Sequence, residues 1–163
     1  MDVVKLETRT IPMEQLAELI TLQLEKGGRA PLTVTGSSMM PMLYGRRDTV
    51  ELIPAAYRQK KGDIILYRRK SGRYVLHRII GLTADGYICC GDNQATKEFV
   101  CHEQLIAVVN GFVRKEKTYA MNTPGYRLYR WLWVNLFFLR PGYIWLRRRL
   151  GRLRKQLRKK WGI

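Results

Sequence analysis

A chain of 163 residues is long enough for one domain with a substantial core and too short for two sizeable ones. The formal charge of +17 is unevenly spread: the first 116 residues carry 17 Lys and Arg against 13 acids, and no acid follows Glu116. The composition therefore describes an ordinary globular body with a strongly basic tail, and it makes a poor disulfide framework, because Cys89, Cys90 and Cys101 are odd in number and two are adjacent. These cysteines are expected as small buried hydrophobes in a reducing compartment.

In chain order, Pro12 precedes a stretch with apolar residues at 13, 16, 19, 20 and 24 and then Gly27-Gly28, which predicts an amphipathic helix over residues 12–26 with a glycine stop. The first thirty residues hold Asp2, Glu7, Glu14, Glu18 and Glu25 and no apolar run of signal-peptide type. Short strands are predicted at 32–35, 48–53, 64–67, 74–80, 87–90 and 105–113, with turns at Ser71-Gly72 and Asp85-Gly86. That spacing of strands and turns predicts a mainly β core over residues 30–114. From Tyr126 onward the pattern changes to helix in pieces, broken at Pro141-Gly142. The division expected is a catalytic region, residues 1–118, and a basic helical tail, residues 119–163.

The chemistry concentrates in a few residues. Ser38 stands between Gly36 and Pro41, in backbone suited neither to a helix nor to a central strand, so its hydroxyl is expected on an exposed turn. A serine hydroxyl is a weak nucleophile and needs a neighbour to take its proton. Of the two histidines, His77 lies in an apolar, strand-like run that can aim an imidazole, whereas His102 lies in an acidic, loop-like segment, and His77 is preferred as the general base. A carboxylate that fixes its tautomer is offered by Asp92, in Gly91-Asp92-Asn93, with Glu98 as the alternative. Ser-His-Asp chemistry of this kind needs no metal and no cofactor.

The order of these motifs resembles the clan of serine peptidases that contains the type I signal peptidases and the LexA-type self-cleaving proteins. Its nucleophile box, Ser-Met-x-Pro, is matched by Ser38-Met39-Met40-Pro41, and its Gly-Asp element by Gly62-Asp63-Ile64-Ile65. The base box is His77-Arg78-Ile79-Ile80-Gly81, which is similar to the Ser-His form of archaeal and endoplasmic-reticulum signal peptidases rather than the Ser-Lys form. The acidic box is Gly91-Asp92-Asn93, and the similarity covers roughly residues 28 to 114. The resemblance implies a signal-peptidase/LexA-like β core and a serine endopeptidase acting on a precursor or leader polypeptide. In it Ser38 attacks, His77 takes the proton and Asp92, with Glu98 as the weaker alternative, orients the ring, while Gly36, Ser37, Met39 and Pro41 belong to the oxyanion and substrate-binding turn. Signal peptidases commonly have a hydroxyl residue where this chain has Gly36, so the oxyanion hole is expected to rest on backbone N–H groups such as that of Ser38. The N-terminal membrane anchor of the signal peptidases is not expected in the first thirty residues, which lack a long apolar run. A membrane-bound or nucleic-acid-binding module with an inactive peptidase-like domain, and a LexA-type self-cleaving protein, are the alternatives.

In the tail, Leu146, Leu150, Leu153, Leu157 and Trp161 recur at spacings of three and four among Arg and Lys, giving a cationic amphipathic helix. Trp131, Trp133, Phe137, Phe138, Tyr143 and Trp145 precede it, residue types favoured at a membrane interface. The longest nearly uncharged apolar run, 131 to 139, falls well short of the ~20 residues of a spanning helix. Residues 126–163 are therefore expected to lie on an anionic membrane surface, at the cytoplasmic face, with a wholly cytoplasmic protein as the alternative. Nucleic acid fits less well, because the aromatic residues are bunched beside the arginines rather than interleaved with them.

Overall fold

The computed structural model describes residues 12–55 and 59–161. Residues 1–11, 56–58 and 162–163, which include the start of the expected catalytic region and the end of the tail, lie outside the described residues. Helix α1 (Met13–Glu25) is followed by strands β1 (Ala30–Thr33), β2 (Asp48–Pro54), β3 (Ile64–Arg68), β4 (Tyr74–Leu82), β5 (Gly86–Cys90), β6 (Glu98–Cys101), β7 (Leu105–Arg114) and β8 (Lys117–Ala120). Helices α2 (Pro124–Asn135) and α3 (Arg140–Trp161) complete the described part.

The strands form one antiparallel sheet in the order β1-β2-β7-β3-β4-β5-β6, and β8 also pairs with β7. Strand β7 organises it: β2 lies along one side, from Asp48↔Arg114 to Pro54↔Ala107, while β3 and then β8 share the other. A β-rich core is thus present, as the strand spacing implies. Two strands are absent from the sequence reading. Strand β6 is four residues long and alternates weakly, and β8 is exposed at all four positions, so neither carries the hydrophobic signature of a strand.

Alternation along the strands divides the interior. Ile64, Leu66, Val50, Leu52, Val109 and Phe112 pack under α1, through Ile20 and Leu24, and against Met39 and Leu43. Ile65, Tyr67, Ile79, Tyr87, Cys89, Val100 and Val108 form the second cluster. Register shifts at Leu66/Tyr67 and Ile79/Gly81 lie on β3 and β4 beside the residues discussed below. Bulges of this kind re-aim side chains near functional sites.

The break in the tail does not fall at Pro141-Gly142. It falls at Leu136, where α2 ends and a single 3-10 turn, Phe137–Leu139, leads into α3. Pro141 is the second residue of α3, where its missing N–H has no intrahelical partner to lose. Among the described residues no helix is long and apolar enough to cross a membrane.

Residues 35–47 make an excursion between β1 and β2, closed at its base by Val34 N–H donating to Asp48 O and Arg46 N–H to Val34 O. Asp48 is fully buried there and accepts from the Tyr44 N–H and from the Arg47 and Arg114 guanidinium groups. Burial by itself would raise its pKa, but these donors hold the carboxyl far below the usual carboxylate range. Arg114 also donates to Met42 O, so one ion pair fastens the excursion to β7. Asp48→Asn is expected to lower stability by about 3 kcal/mol, measured by urea unfolding. Because the folded carboxyl titrates below the unfolded one, the deficit is full above pH ~4 and closes as the pH falls further.

Candidate active site

The excursion carries Ser38 on a turn. Met40 N–H donates to Ser37 O and Leu43 N–H to Met39 O, and the Met40–Pro41 peptide is cis. Met39 is only 1 % exposed and sits in the core beside buried Leu43. It anchors the turn from below and lines no open cleft, which corrects its expected place in substrate binding: a long apolar side chain gains more from the core than from solvent. Gly36 and Ser37 are exposed, and Ser38 and Pro41 are half-buried. Gly45 backs the turn so closely that a Cβ there would lie 2.6 Å from Thr35 O and 2.7 Å from Gly36 O. Nothing in the sequence around Gly45 marks this long-range backbone approach.

His77 stands on β4 opposite Ile65 of β3 and is 2 % exposed. Its Nδ1 lies 2.7 Å from Glu98 Oε1, at the start of β6, and 3.1 Å from the Tyr67 hydroxyl, which itself donates to Glu98. Arg69 completes the group with a two-point hydrogen bond to the Glu98 carboxylate. Burial would raise the Glu98 pKa, but the hydrogen bonds from Arg69 and Tyr67 and the nearby His77 leave it below the ordinary value, so the group is a carboxylate at neutral pH. An ionised carboxylate only accepts, so the proton on His77 belongs on Nδ1 and the lone pair on Nε2. Burial lowers the His77 pKa and Glu98 only partly offsets this, which keeps the ring neutral at pH 7. Burial also drives the Tyr67 hydroxyl pKa up, fixing it as a donor.

Nε2 faces Gly91. A Cβ built on Gly91 would lie 3.0 Å from His77 Nε2 and 2.7 Å from the Ser38 carbonyl oxygen. Glycine here lets the imidazole and the serine turn approach from two sides of the same point. Asn93 ties the turn down, its N–H donating to Ser38 O at 2.7 Å and its Nδ2 to Ser37 O at 3.2 Å. Among the described residues no hydrogen bond joins Ser38 Oγ to His77.

Asp92 does not orient His77. Its carboxylate is fully buried and receives Arg78 Nε at 2.8 Å and Nη2 at 2.7 Å, with the Tyr129 hydroxyl at 3.1 Å. The reason is alternation: His77 and Arg78 are neighbours on β4 and project to opposite sides, so the acid that meets Arg78 cannot also sit on Nδ1. Arg78 donates further to Gly62 O and to the Tyr126 hydroxyl. Burial would depress its pKa, but Asp92 reverses this and raises it, so Arg78 stays charged. His102, the other histidine, is exposed on the turn after β6, with its ring edge on Tyr87.

Residues of the basic tail complete the surroundings. From α2, Trp133 Nε1 donates to Asp92 O, and from α3, Arg140 donates to Gly91 O and Arg147 to Asn93 Oδ1. Cys90 Sγ braces the same loop from below through the carbonyls of Gly91, Gln94 and Thr96. Burial pushes the Cys89 thiol up to about 12, so it stays protonated and is no nucleophile. Beside Glu98 a cleft of about 1050 Å³ opens between loop residues Asn93, Gln94 and Thr96 and the α3 residues Ile144, Trp145 and Arg152. Among the described residues no cluster of His, Cys, Asp and Glu could hold a metal ion. The chain matches no known protein-family model and no curated protein.

Arg78→Met strands the Asp92 carboxylate without its partner and is expected to cost about 3–5 kcal/mol in urea unfolding. Combining it with Asp92→Leu should recover much of that loss, because the buried charge is then gone.

Proposed function

We propose that the chain is a serine endopeptidase of the signal-peptidase type, in which Ser38 is the nucleophile, His77 the general base and Glu98 the group that orients and charges the base. The observation that carries this reading is the buried His77: an ionised carboxylate on Nδ1 leaves the Nε2 lone pair directed at the point where the serine turn arrives. A histidine placed only for packing gains nothing from a carboxylate on one ring nitrogen with the other directed at a serine turn.

In this mechanism a peptide carbonyl approaches Ser38, whose Oγ turns toward Nε2, a contact that tightens when substrate excludes water. As Oγ bonds to the carbonyl carbon, its proton passes to Nε2. The imidazolium so formed is stabilised by Glu98, and the Tyr67 and Arg69 donors keep that carboxylate in place. The oxyanion is received by backbone N–H groups of the turn, Ser38 among them, since Gly36 offers no hydroxyl. His77 then protonates the leaving amine, and a water, deprotonated by His77, hydrolyses the acyl-enzyme. Asp92 acts at one remove: with Arg78 it fixes Gly91 and Asn93, and through Asn93 the Ser38 turn. A precursor polypeptide is the substrate class that the ordered boxes favour; the cleft beside Glu98 is lined by neither Ser38 nor His77 and adds nothing to that choice.

Ser38→Ala should abolish phosphonylation by a fluorophosphonate probe and reduce peptide hydrolysis by on the order of 10⁴ to 10⁶, with unchanged stability. Hydrolysis at the parental rate would overturn the assignment.

The pH profile tests Glu98 separately. Activity requires neutral His77, so it is lost as the pH falls through the folded pKa, and the acid limb of kcat/KM should lie below the ordinary histidine value of ~6.5. Glu98 raises that pKa, so Glu98→Gln should move the limb to still lower pH while reducing kcat by about 10³ to 10⁴. Arg69 lowers it, so Arg69→Gln should move the limb up.

A further inference from the structure

On α2 and α3 the residues that hold the body and the residues that face outward fall on separate sides. Tyr126, Tyr129 and Trp133 recur at spacings of three and four and reach Arg78 and Asp92. On α3, Arg140, Ile144 and Arg147 do the same, two of them through hydrogen bonds to the loop and Ile144 by burial. Turned away from these contacts stand Leu128, Trp131, Leu146, Leu150 and Leu153, each about half exposed or more, and Phe138 between the helices is 71 % exposed. Large apolar side chains this exposed, at helical spacing and on consecutive elements, mark a surface that is covered in use.

We infer that α2, the 3-10 turn and α3 form a docking surface for an anionic lipid bilayer, with the apolar side chains entering the interface and the surrounding arginines meeting the lipid headgroups. Charge decides between the possible coverings. A second copy of this chain would bring the same excess of Lys and Arg, without one acid after Glu116, against itself. The stripe is also bordered by cations that the body does not neutralise, such as Arg149, stacked over exposed Trp145. Trp, Phe and Leu beside Arg suit the boundary between headgroups and acyl chains, where the ring and alkyl parts are buried and the charges remain wet. Because the inner sides of the same helices hold Gly91, Asp92 and Asn93, docking would place the Ser38 turn at the membrane surface. The docking inference does not depend on the peptidase reading.

The test is co-sedimentation of the full chain with vesicles of phosphatidylcholine alone or with about 30 % phosphatidylserine. Binding is expected to the anionic vesicles and not to the neutral ones, weakening in high salt. Leu146→Glu/Leu150→Glu replaces two exposed residues, so the fold should survive, as circular dichroism will report, and binding should fall at least tenfold. Absence of binding by the parent overturns the proposal, as does full binding by the double variant, which would reduce the effect to charge alone. So does a stable dimer in light scattering that the double variant dissolves, or protection of the stripe by RNA rather than by vesicles. Serine labelling of the same variants separates the two readings: a variant that no longer binds vesicles but still takes the probe fails docking only.

Discussion

The ion pair between Arg78 and Asp92 is the constraint on which the arrangement of the site depends. Both side chains are wholly buried, and a charge in that position is tolerated only when it is paired and its remaining donors and acceptors are met. Here they are met by groups from distant parts of the chain: the Gly62 carbonyl before β3, the Tyr126 and Tyr129 hydroxyls on α2, and the two oxygens of Asp92 on the loop after β5. The pair therefore fixes β4, the loop and α2 relative to one another. Removing either partner leaves a buried charge, so these three segments are held as a unit rather than by separable contacts.

From that pair the geometry runs outward in two directions. On one side Asp92 sets Gly91 and Asn93, and these meet the Ser38 turn through Asn93 N–H and the bare Cα of Gly91. On the other side of β4, alternation sends His77 into a separate polar group with Tyr67, Glu98 and Arg69. The two carboxylates are thus given different work by their environments. One neutralises a buried guanidinium and the other faces an imidazole, with a quarter of its side chain still open to solvent. This division explains why a loop acid adjacent in sequence to the strand is not the acid on the histidine.

The basic tail has two sides as well. Its aromatic hydroxyls, indole and two arginines are consumed in holding the loop, which is why Arg140 lies buried among Trp133 and Phe137 despite its charge. Burial lowers its pKa, and the rings and carbonyls around it supply the compensation. Its exposed leucines and aromatics take no part in this. A helix with one side committed to the site and another left apolar links whatever covers the second to the position of the first.

How much of this was legible in the sequence depends on the range of the interaction responsible. Helix α1, most of the strands, the turns at Gly72 and Gly86, and the candidate residues Ser38, His77 and Glu98 are all visible in local pattern, because hydrophobic period, glycine and proline act over a few residues. Strands β6 and β8, the role of Gly45 and the true break at Leu136 were not, since they follow from pairing and packing with remote segments. The sequence favours Asp92 over Glu98 as the acid on His77, and the structure reverses that order for the same reason. It is decided by which side of β4 each neighbour of the His-Arg dipeptide faces, and by a strand pairing that brings Glu98 beside Cys89. The sequence by itself determined a β-rich body, a basic amphipathic tail and the inventory of reactive groups. Only the tertiary structure decided which carboxylate meets the imidazole and that the tail braces the loop, because both are contacts between residues tens of positions apart whose geometry no local propensity encodes.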